Sequence, residues 1–188
     1  MIDNAANGVI RKTGDDDYEI VFVRRLGKPI EKVWAALTDP ARLADWFAQT
    51  EVDLRLGGEM RFRWALHGST ETAVIVALDP PKLLAWATPI AEGRHSVVRW
   101  DLMSETGAVK KGTRLILTQT LIAPDDLLSI ATGWHVHLYD LADAARRDTP
   151  GAWTLERERE RSERERTNLV PYYRERLPPD ASHVPWRH

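Results

Sequence analysis

Residues 29–40 read PIEKVWAALTDP, and Leu43 and Trp46-Phe47 follow shortly after them. Pro29 suits the first position of a helix, and the apolar residues after it recur at the i, i+3, i+4, i+7 spacing of one helix face. Asp39-Pro40 ends this helix and starts a second, because aspartate caps a helix N-terminus and proline fits its first turn. The stretch therefore predicts two short amphipathic helices in succession.

The residues on either side of these helices alternate between apolar and polar, which is typical of strands. Val9–Lys12 and Tyr18–Leu26 predict a hairpin around a loop of three aspartates. From Val52 to Leu121 the alternation continues, interrupted by turns such as Gly57-Gly58 and Gly107–Gly112. This pattern predicts an antiparallel meander of at least five strands. The residues predicted to face inward are Met60, Phe62, Trp64, Leu66, Val74, Val76, Leu78, Leu84, Trp86, Val98, Trp100, Leu102, Leu115, Leu117 and Gln119.

After Pro124 the apolar period returns to that of a helix. One face carries Ile130, Trp134, His137, Leu138, Leu141 and Ala145, with Arg146-Arg147 predicted in the last turn. Gly133 within this helix costs about 1 kcal/mol relative to alanine, which predicts a close approach to the sheet or a break in the helix. The fold class predicted is α+β, with a curved antiparallel sheet around one long C-terminal helix and two short helices after the first strands.

The C-terminal part has a different composition. Residues 156–166, here called the charged run, read ERERERSERER, and they predict a solvent-exposed helix because no apolar face is present. The apolar residues that follow predict a segment that docks on the domain; they are Leu169, Val170, Tyr172, Tyr173, Leu177 and Trp186. We therefore predict one domain over residues 1–150, with its core at about 9–146, and a docking extension over residues 151–188.

Composition narrows the function classes. The 188 residues are 43% hydrophobic and 29% charged, with a formal net charge of -2, which predicts a packed core and no nucleic-acid partner. The absence of cysteine excludes disulfides, thiolate nucleophiles and iron-sulfur clusters. No apolar run is long enough for a membrane span, and residues 1–17 do not resemble an export signal. We therefore predict a cytoplasmic protein with no membrane partner.

Several of these stretches together resemble the SRPBCC (START/Bet v 1-like) superfamily, and within it the AHSA1 group, named after the activator of Hsp90 ATPase. The matching stretches are Pro29–Pro40 with Trp46-Phe47, Val52–Gly58, Pro80-Pro81, Gly112–Leu115 and Gly133–His135, spread over about residues 9–146. The resemblance implies a helix-grip fold with a deep apolar cavity between sheet and long helix. It does not fix the activity, because this superfamily includes binding proteins, cyclases, lyases and co-chaperones.

The six histidines suggest no metal site. His135 and His137 are two residues apart, whereas metal-binding pairs on a helix are three or four apart. His67, His95, His183 and His188 fall in predicted loops or in the C-terminal tail. No phosphate-binding loop, dinucleotide motif or nucleophile elbow is present, so we predict neither metal nor cofactor.

The predicted inward tryptophans favour an aromatic-walled pocket. We predict binding of a small hydrophobic or aromatic molecule, with the oligomeric state open between monomer and homodimer. One alternative is an enzyme of the cyclase, dehydratase or hydrolase type, with His137, His135 and Gln119 as acid-base candidates. Another is a chaperone-like accessory protein. The predicted ligand-binding residues are Trp46, Phe62, Trp64, Trp86, Trp100, Gln119, Trp134, His137 and Leu138.

Overall fold

Eight antiparallel strands form one sheet in the computed structural model, which describes residues 8–66, 68–106, 111–151 and 154–182. The strands are β1 (Val9–Lys12), β2 (Tyr18–Leu26), β3 (Gln49–Val52), β4 (Glu59–Trp64), β5 (Ser69–Asp79), β6 (Leu83–Ala91), β7 (Arg94–Thr106) and β8 (Lys111–Ile122). Their order across the sheet is β1-β2-β8-β7-β6-β5-β4-β3. The sheet is curved and open, as the helix-grip prediction requires, with β1 and β3 at its edges.

Two short helices and one long helix cover the inner side of the sheet. They are α1 (Ile30–Thr38), α2 (Pro40–Trp46) and α3 (Pro124–Ala144). The predicted cap is confirmed, since the Asp39 side chain accepts hydrogen bonds from the backbone N–H groups of Ala41 and Arg42. The predicted start of α1 is wrong by one residue, because Pro29 has an extended ψ of 151° and precedes the helix. Arg146-Arg147 likewise lie just beyond the end of α3 rather than in its last turn.

The register predicted for β5 is wrong. Val74 and Val76 are 40% and 48% exposed, whereas Ala73 and Ile75 are buried. The sheet register shifts between Ile75 and Ala77, and such an irregularity interrupts the simple alternation of faces along a strand. The turn before β4 is confirmed. Gly57 has a φ of 77°, in the left-handed region that favours glycine.

Helix α3 is buried on two sides. Trp134 packs edge-to-face on Trp100 of β7, so one side faces the sheet. The other side lies under the C-terminal segment, where Thr132 and His135 are also buried. That segment comprises α4 (Leu155–Arg164), a π-helical turn (Glu165–Leu169), α5 (Val170–Arg174) and α6 (Pro179–Ser182).

The charged run is not wholly exposed, and that prediction is wrong. Glu158, Arg161 and Glu165 are only 7%, 8% and 4% exposed. These residues follow the spacing i, i+3, i+7 and therefore share one helix face. The face is buried because each charge has a polar contact there, such as the Arg161 Nε that donates to Asp140 at 2.8 Å.

Other predicted features fall outside the described residues. These are residues 107–110 of the predicted Gly107–Gly112 loop, together with Trp186, His67, His183 and His188.

Candidate functional site

A cavity of about 420 Å³ lies between the sheet and α3. Its aromatic wall consists of Phe47, Trp64, Trp86 and Trp134, and we call it the aromatic cavity. The Phe47 and Trp134 rings stack with their centroids 5.4 Å apart and an interplanar angle of 8°. The cavity wall reaches the surface near the β6–β7 hairpin, where Ile90 and Arg94 are exposed. Offset stacking stabilises the relative position of these two rings, which form an apolar part of the cavity wall.

The structure divides the nine predicted ligand-binding residues into two groups. Five line the aromatic cavity, namely Trp64, Trp86, Gln119, Trp134 and His137. The other four lie in the closed core and contribute no surface to this cavity, namely Trp46, Phe62, Trp100 and Leu138. They sit one layer deeper because neighbouring side chains cover them, as Phe47 covers Trp46 by stacking at 5.3 Å.

Gln119 is the polar centre of the aromatic cavity. Its Oε1 accepts a hydrogen bond from Trp134 Nε1, and its Nε2 donates to Ser96 Oγ at 3.0 Å. Ser96 Oγ in turn donates to the backbone carbonyl of Thr120 at 2.8 Å. This chain of donors and acceptors fixes the orientation of the Gln119 amide and of the Trp134 ring, which is the preorganisation that a binding site needs.

His137 lies where the aromatic cavity meets its neighbour. Its Nδ1 is 2.9 Å from the backbone carbonyl oxygen of Trp46. A carbonyl oxygen only accepts, so Nδ1 carries a proton and Nε2 is the acceptor nitrogen of the neutral ring. The ring packs edge-to-face on Phe47 at 5.0 Å.

The neighbouring cavity has a volume of about 280 Å³, and we call it the acidic cavity. It shares Trp64, Ile130, Gly133 and His137 with the aromatic cavity, so the two adjoin along α3. Its far wall is the buried face of the charged run, with Glu158, Arg161, Ser162 and Glu165. Burial lowers the pKa of Arg161, while Asp140 and then Glu158 act in the opposite direction.

Gly133 has a different role from either predicted one. Helix α3 continues unbroken through it, and a Cβ placed there would meet only Glu165 Oε1, at 3.8 Å. That distance is ordinary van der Waals contact rather than a close approach to the sheet. Gly133 instead lines both cavities, where it contributes no side chain.

His135 does not reach either cavity, although it was an acid-base candidate. Its Nδ1 lies 3.0 Å from the hydroxyl of Tyr173, on the side of α3 that faces the C-terminal segment. Burial, together with the charge of Arg24, lowers the pKa of His135 to about 4. The same burial raises the pKa of Tyr173 to about 12. At neutral pH both groups are uncharged, and they form a structural hydrogen bond.

We expect His135 to make the fold acid-sensitive. Its pKa is about 4 in the folded protein and about 6.5 in a free chain, so the unfolded state binds the proton first as the pH falls. The stabilisation is complete above pH 6.5 and decreases below it, by about 2 kcal/mol between pH 7 and pH 5. His135→Gln should flatten this dependence in urea unfolding, whereas His95→Gln, at an exposed site, should not. The prediction would be contradicted if the free energy of unfolding decreased equally with falling pH in the native protein and in His135→Gln.

Some lining residues of both cavities were not predicted from the sequence. In the aromatic cavity they include Phe47, Ser96 and Ile130, and in the acidic cavity they include Glu158 and Glu165. The sequence could have predicted Phe47, because it is an aromatic residue directly after the predicted site residue Trp46. It could not have predicted the two glutamates, because in an alternating charged run every helix face carries the same residue types.

The part of the chain that forms the aromatic cavity matches a known protein family. The family model for Activator of Hsp90 ATPase homolog 1-like protein matches residues 28–146. The chain belongs to the AHSA1 family. This match covers α1 through α3, so both main walls of the aromatic cavity lie within the AHSA1 region. The AHSA1 fold is of the SRPBCC helix-grip type, which is known for ligand binding.

Several solved structures have a similar fold. CalU16 from Micromonospora echinospora is 25% identical, with a TM-score of 0.61 over 88% of this chain and 98% of that chain. EF2215 from Enterococcus faecalis is 20% identical, with a TM-score of 0.62 over 88% of this chain and 94% of that chain. DynU16, from the dynemicin biosynthetic locus, is 22% identical, with a TM-score of 0.60 over 73% of this chain and 49% of that chain. No curated protein matches this AHSA1 chain.

Two further observations concern membrane-spanning helices and metal sites. In the described ranges, no helix combines the length and apolar character needed to cross a bilayer. Over the same ranges, no three His, Asp or Glu side chains are placed to hold a metal ion together.

Proposed function

We propose that the chain binds a small hydrophobic or aromatic molecule in the aromatic cavity. The observation that carries this proposal is that four aromatic side chains line the same cavity as an oriented polar group, the Gln119 amide. Small-molecule sites are typically apolar cavities of a few hundred Å³ in which a few fixed polar groups set the orientation. The volume of about 420 Å³ suits a molecule with two or three fused rings.

The test is a titration with naphthalen-2-ylmethanol, a neutral two-ring alcohol. Binding should perturb the indole N–H signals of Trp64, Trp86 and Trp134 in heteronuclear NMR spectra. The indole signal of Trp34, which lies outside both cavities, should stay in place. If no signal of a lining residue moves with this probe or with a panel of larger aromatic compounds, the proposal fails.

Gly133 provides a variant that separates stability from binding. Gly133→Ala should raise the free energy of unfolding by about 1 kcal/mol, because it improves helix propensity without a clash. Gly133→Leu should instead extend a side chain from the wall that lines both cavities and weaken probe binding about tenfold. Tyr139→Leu, at an exposed position of the same helix, is the matched control. Unchanged affinity in a folded Gly133→Leu protein would contradict the location of the site.

One observation favours an enzyme as the second candidate function. The Nδ1 contact of His137 with the Trp46 carbonyl oxygen fixes the orientation of the imidazole ring, and this acid-base group lines both cavities. The reaction would be of the cyclase, dehydratase or hydrolase type, with His137 taking a proton from the substrate and returning it to the leaving oxygen or to the product. Mass spectrometry of each bound compound after incubation distinguishes the two, since a binding protein returns it unchanged.

A further inference from the structure

Glu158 lies in the wall of the acidic cavity with only one carboxylate oxygen hydrogen-bonded. Its Oε1 accepts a hydrogen bond from the backbone N–H of Leu66 at 3.2 Å. Its Oε2 is buried and has no hydrogen-bond partner within the described part of the chain. The whole residue is only 7% exposed. An unpaired buried acceptor is unfavourable, so this oxygen is a position where a donor on a bound molecule gains free energy.

The charge around this oxygen favours a cationic donor. Glu158 and Glu165 bring two carboxylates to the acidic cavity, against the single guanidinium of Arg161. That guanidinium already donates to Asp140 through Nε and to the Phe47 carbonyl through Nη1, at 2.8 and 3.0 Å. Among the described lining residues two carboxyl side chains therefore stand against one guanidinium, and that guanidinium is directed at protein acceptors.

The acidic cavity, which Glu158 lines, adjoins the aromatic cavity. Trp64 and Gly133 line both cavities, and Gly133 contributes no side chain there. A molecule whose rings fill the aromatic cavity can therefore extend a short arm toward Glu158. The lining of the acidic cavity offers an ammonium group the Glu158 carboxylate and the Trp64 indole, and both are side-chain groups that bind cations.

We propose that the ligand is an aromatic amine whose rings occupy the aromatic cavity and whose protonated amino group donates to Glu158 Oε2. The inference rests on the proposed function and adds the chemical class of the ligand. Glu158 is the residue that selects this class. Gln119 orients the ring end and Glu158 binds the charged end.

The first experiment compares two probes of nearly identical shape on the full chain. Naphthalen-2-ylmethanamine carries a protonated amino group at pH 7, where naphthalen-2-ylmethanol carries a hydroxyl. By isothermal titration calorimetry the amine should bind about tenfold more tightly than the alcohol. Equal affinities would overturn the amine inference and leave the proposed function standing. Absence of binding by both probes and by the panel of larger aromatic compounds would overturn the proposed function as well.

The second experiment assigns the preference to Glu158. Glu158→Gln keeps the side-chain shape but removes the charge, so the amine should lose about tenfold in affinity and the alcohol less than about threefold. Glu156→Gln is the matched control, because Glu156 lies on an exposed face of the same helix. An amine preference that persists in Glu158→Gln would overturn the role of Glu158. The comparison of probes on the native protein stands even if this variant does not fold.

Discussion

Truncation after Asn168 is expected to lower the free energy of unfolding by about 5 kcal/mol or more. The removed segment contains Leu169, Tyr173 and Leu177, whose side chains are all buried. Each large apolar side chain contributes about 1.5 to 3 kcal/mol when it is buried, so three of them account for this magnitude. The loss also removes the Tyr173 hydroxyl from His135 and leaves that imidazole without its partner. Urea unfolding followed by tryptophan fluorescence measures the change.

The control for this truncation must spare the buried face of the charged run. Replacing the whole run with neutral helix formers would remove Arg161, which donates to Asp140 and to the Phe47 carbonyl. Glu163→Gln with Arg166→Gln changes only an exposed ion pair, and it should leave stability nearly unchanged because water and salt screen such pairs. Equal, negligible effects of truncation and control would mean that the segment is dispensable. Leu177→Ala in the full chain removes one of the three buried side chains and covers the case of a truncated chain that does not fold, with an expected cost of about 2 to 5 kcal/mol.

Trp134→Ala is expected to cost about 3 kcal/mol of stability and at least about tenfold in probe affinity. The indole stacks on Phe47, packs edge-to-face on Trp100 and donates its N–H to Gln119. Its other surface lines the aromatic cavity, so one side chain serves both the core and the site. Urea unfolding and titration with naphthalen-2-ylmethanol on the same variant measure the two effects.

Trp46→Ala separates these roles. Trp46 is fully buried, donates its N–H to the Ala36 carbonyl at 2.8 Å, and does not line the aromatic cavity. Its replacement should cost about 3 to 5 kcal/mol and change the affinity of the folded protein less than Trp134→Ala does. A large stability loss in Trp134→Ala with unchanged affinity in the folded protein would remove Trp134 from the site.

Periodicity predicted the fold because most elements have a single apolar face. The hairpin of β1 and β2 begins and ends at the predicted residues, and Asp39 caps α2 as predicted. The prediction was wrong in β5. Val74 and Val76 continue the apolar alternation of the sequence although both are exposed, so the pattern does not reveal the register shift. The prediction was also wrong for the charged run, where the buried face is formed by paired charges and has no hydropathy signal.

The candidate site was only partly predictable for a related reason. Alternation predicts which face of a strand is turned inward, but it does not predict how deep a side chain lies behind that face. Trp86 and Trp100 lie on neighbouring strands, yet only Trp86 borders the aromatic cavity. Contacts such as that of His137 with the Trp46 carbonyl join residues 91 positions apart in the chain, and no local pattern reports them.

The contacts between the first hairpin and the C-terminal segment have a consequence for folding. The Gly8 N–H donates to the Tyr173 hydroxyl, and the Tyr18 hydroxyl donates to Asp180, over separations of 165 and 162 residues. Closing such long loops has a large entropic cost, so these contacts form after the central strands have paired. Strand β1 and helices α5 and α6 are therefore expected to open and close as one cooperative unit, and amide hydrogen exchange would detect it as a common protection factor at opposite ends of the sequence.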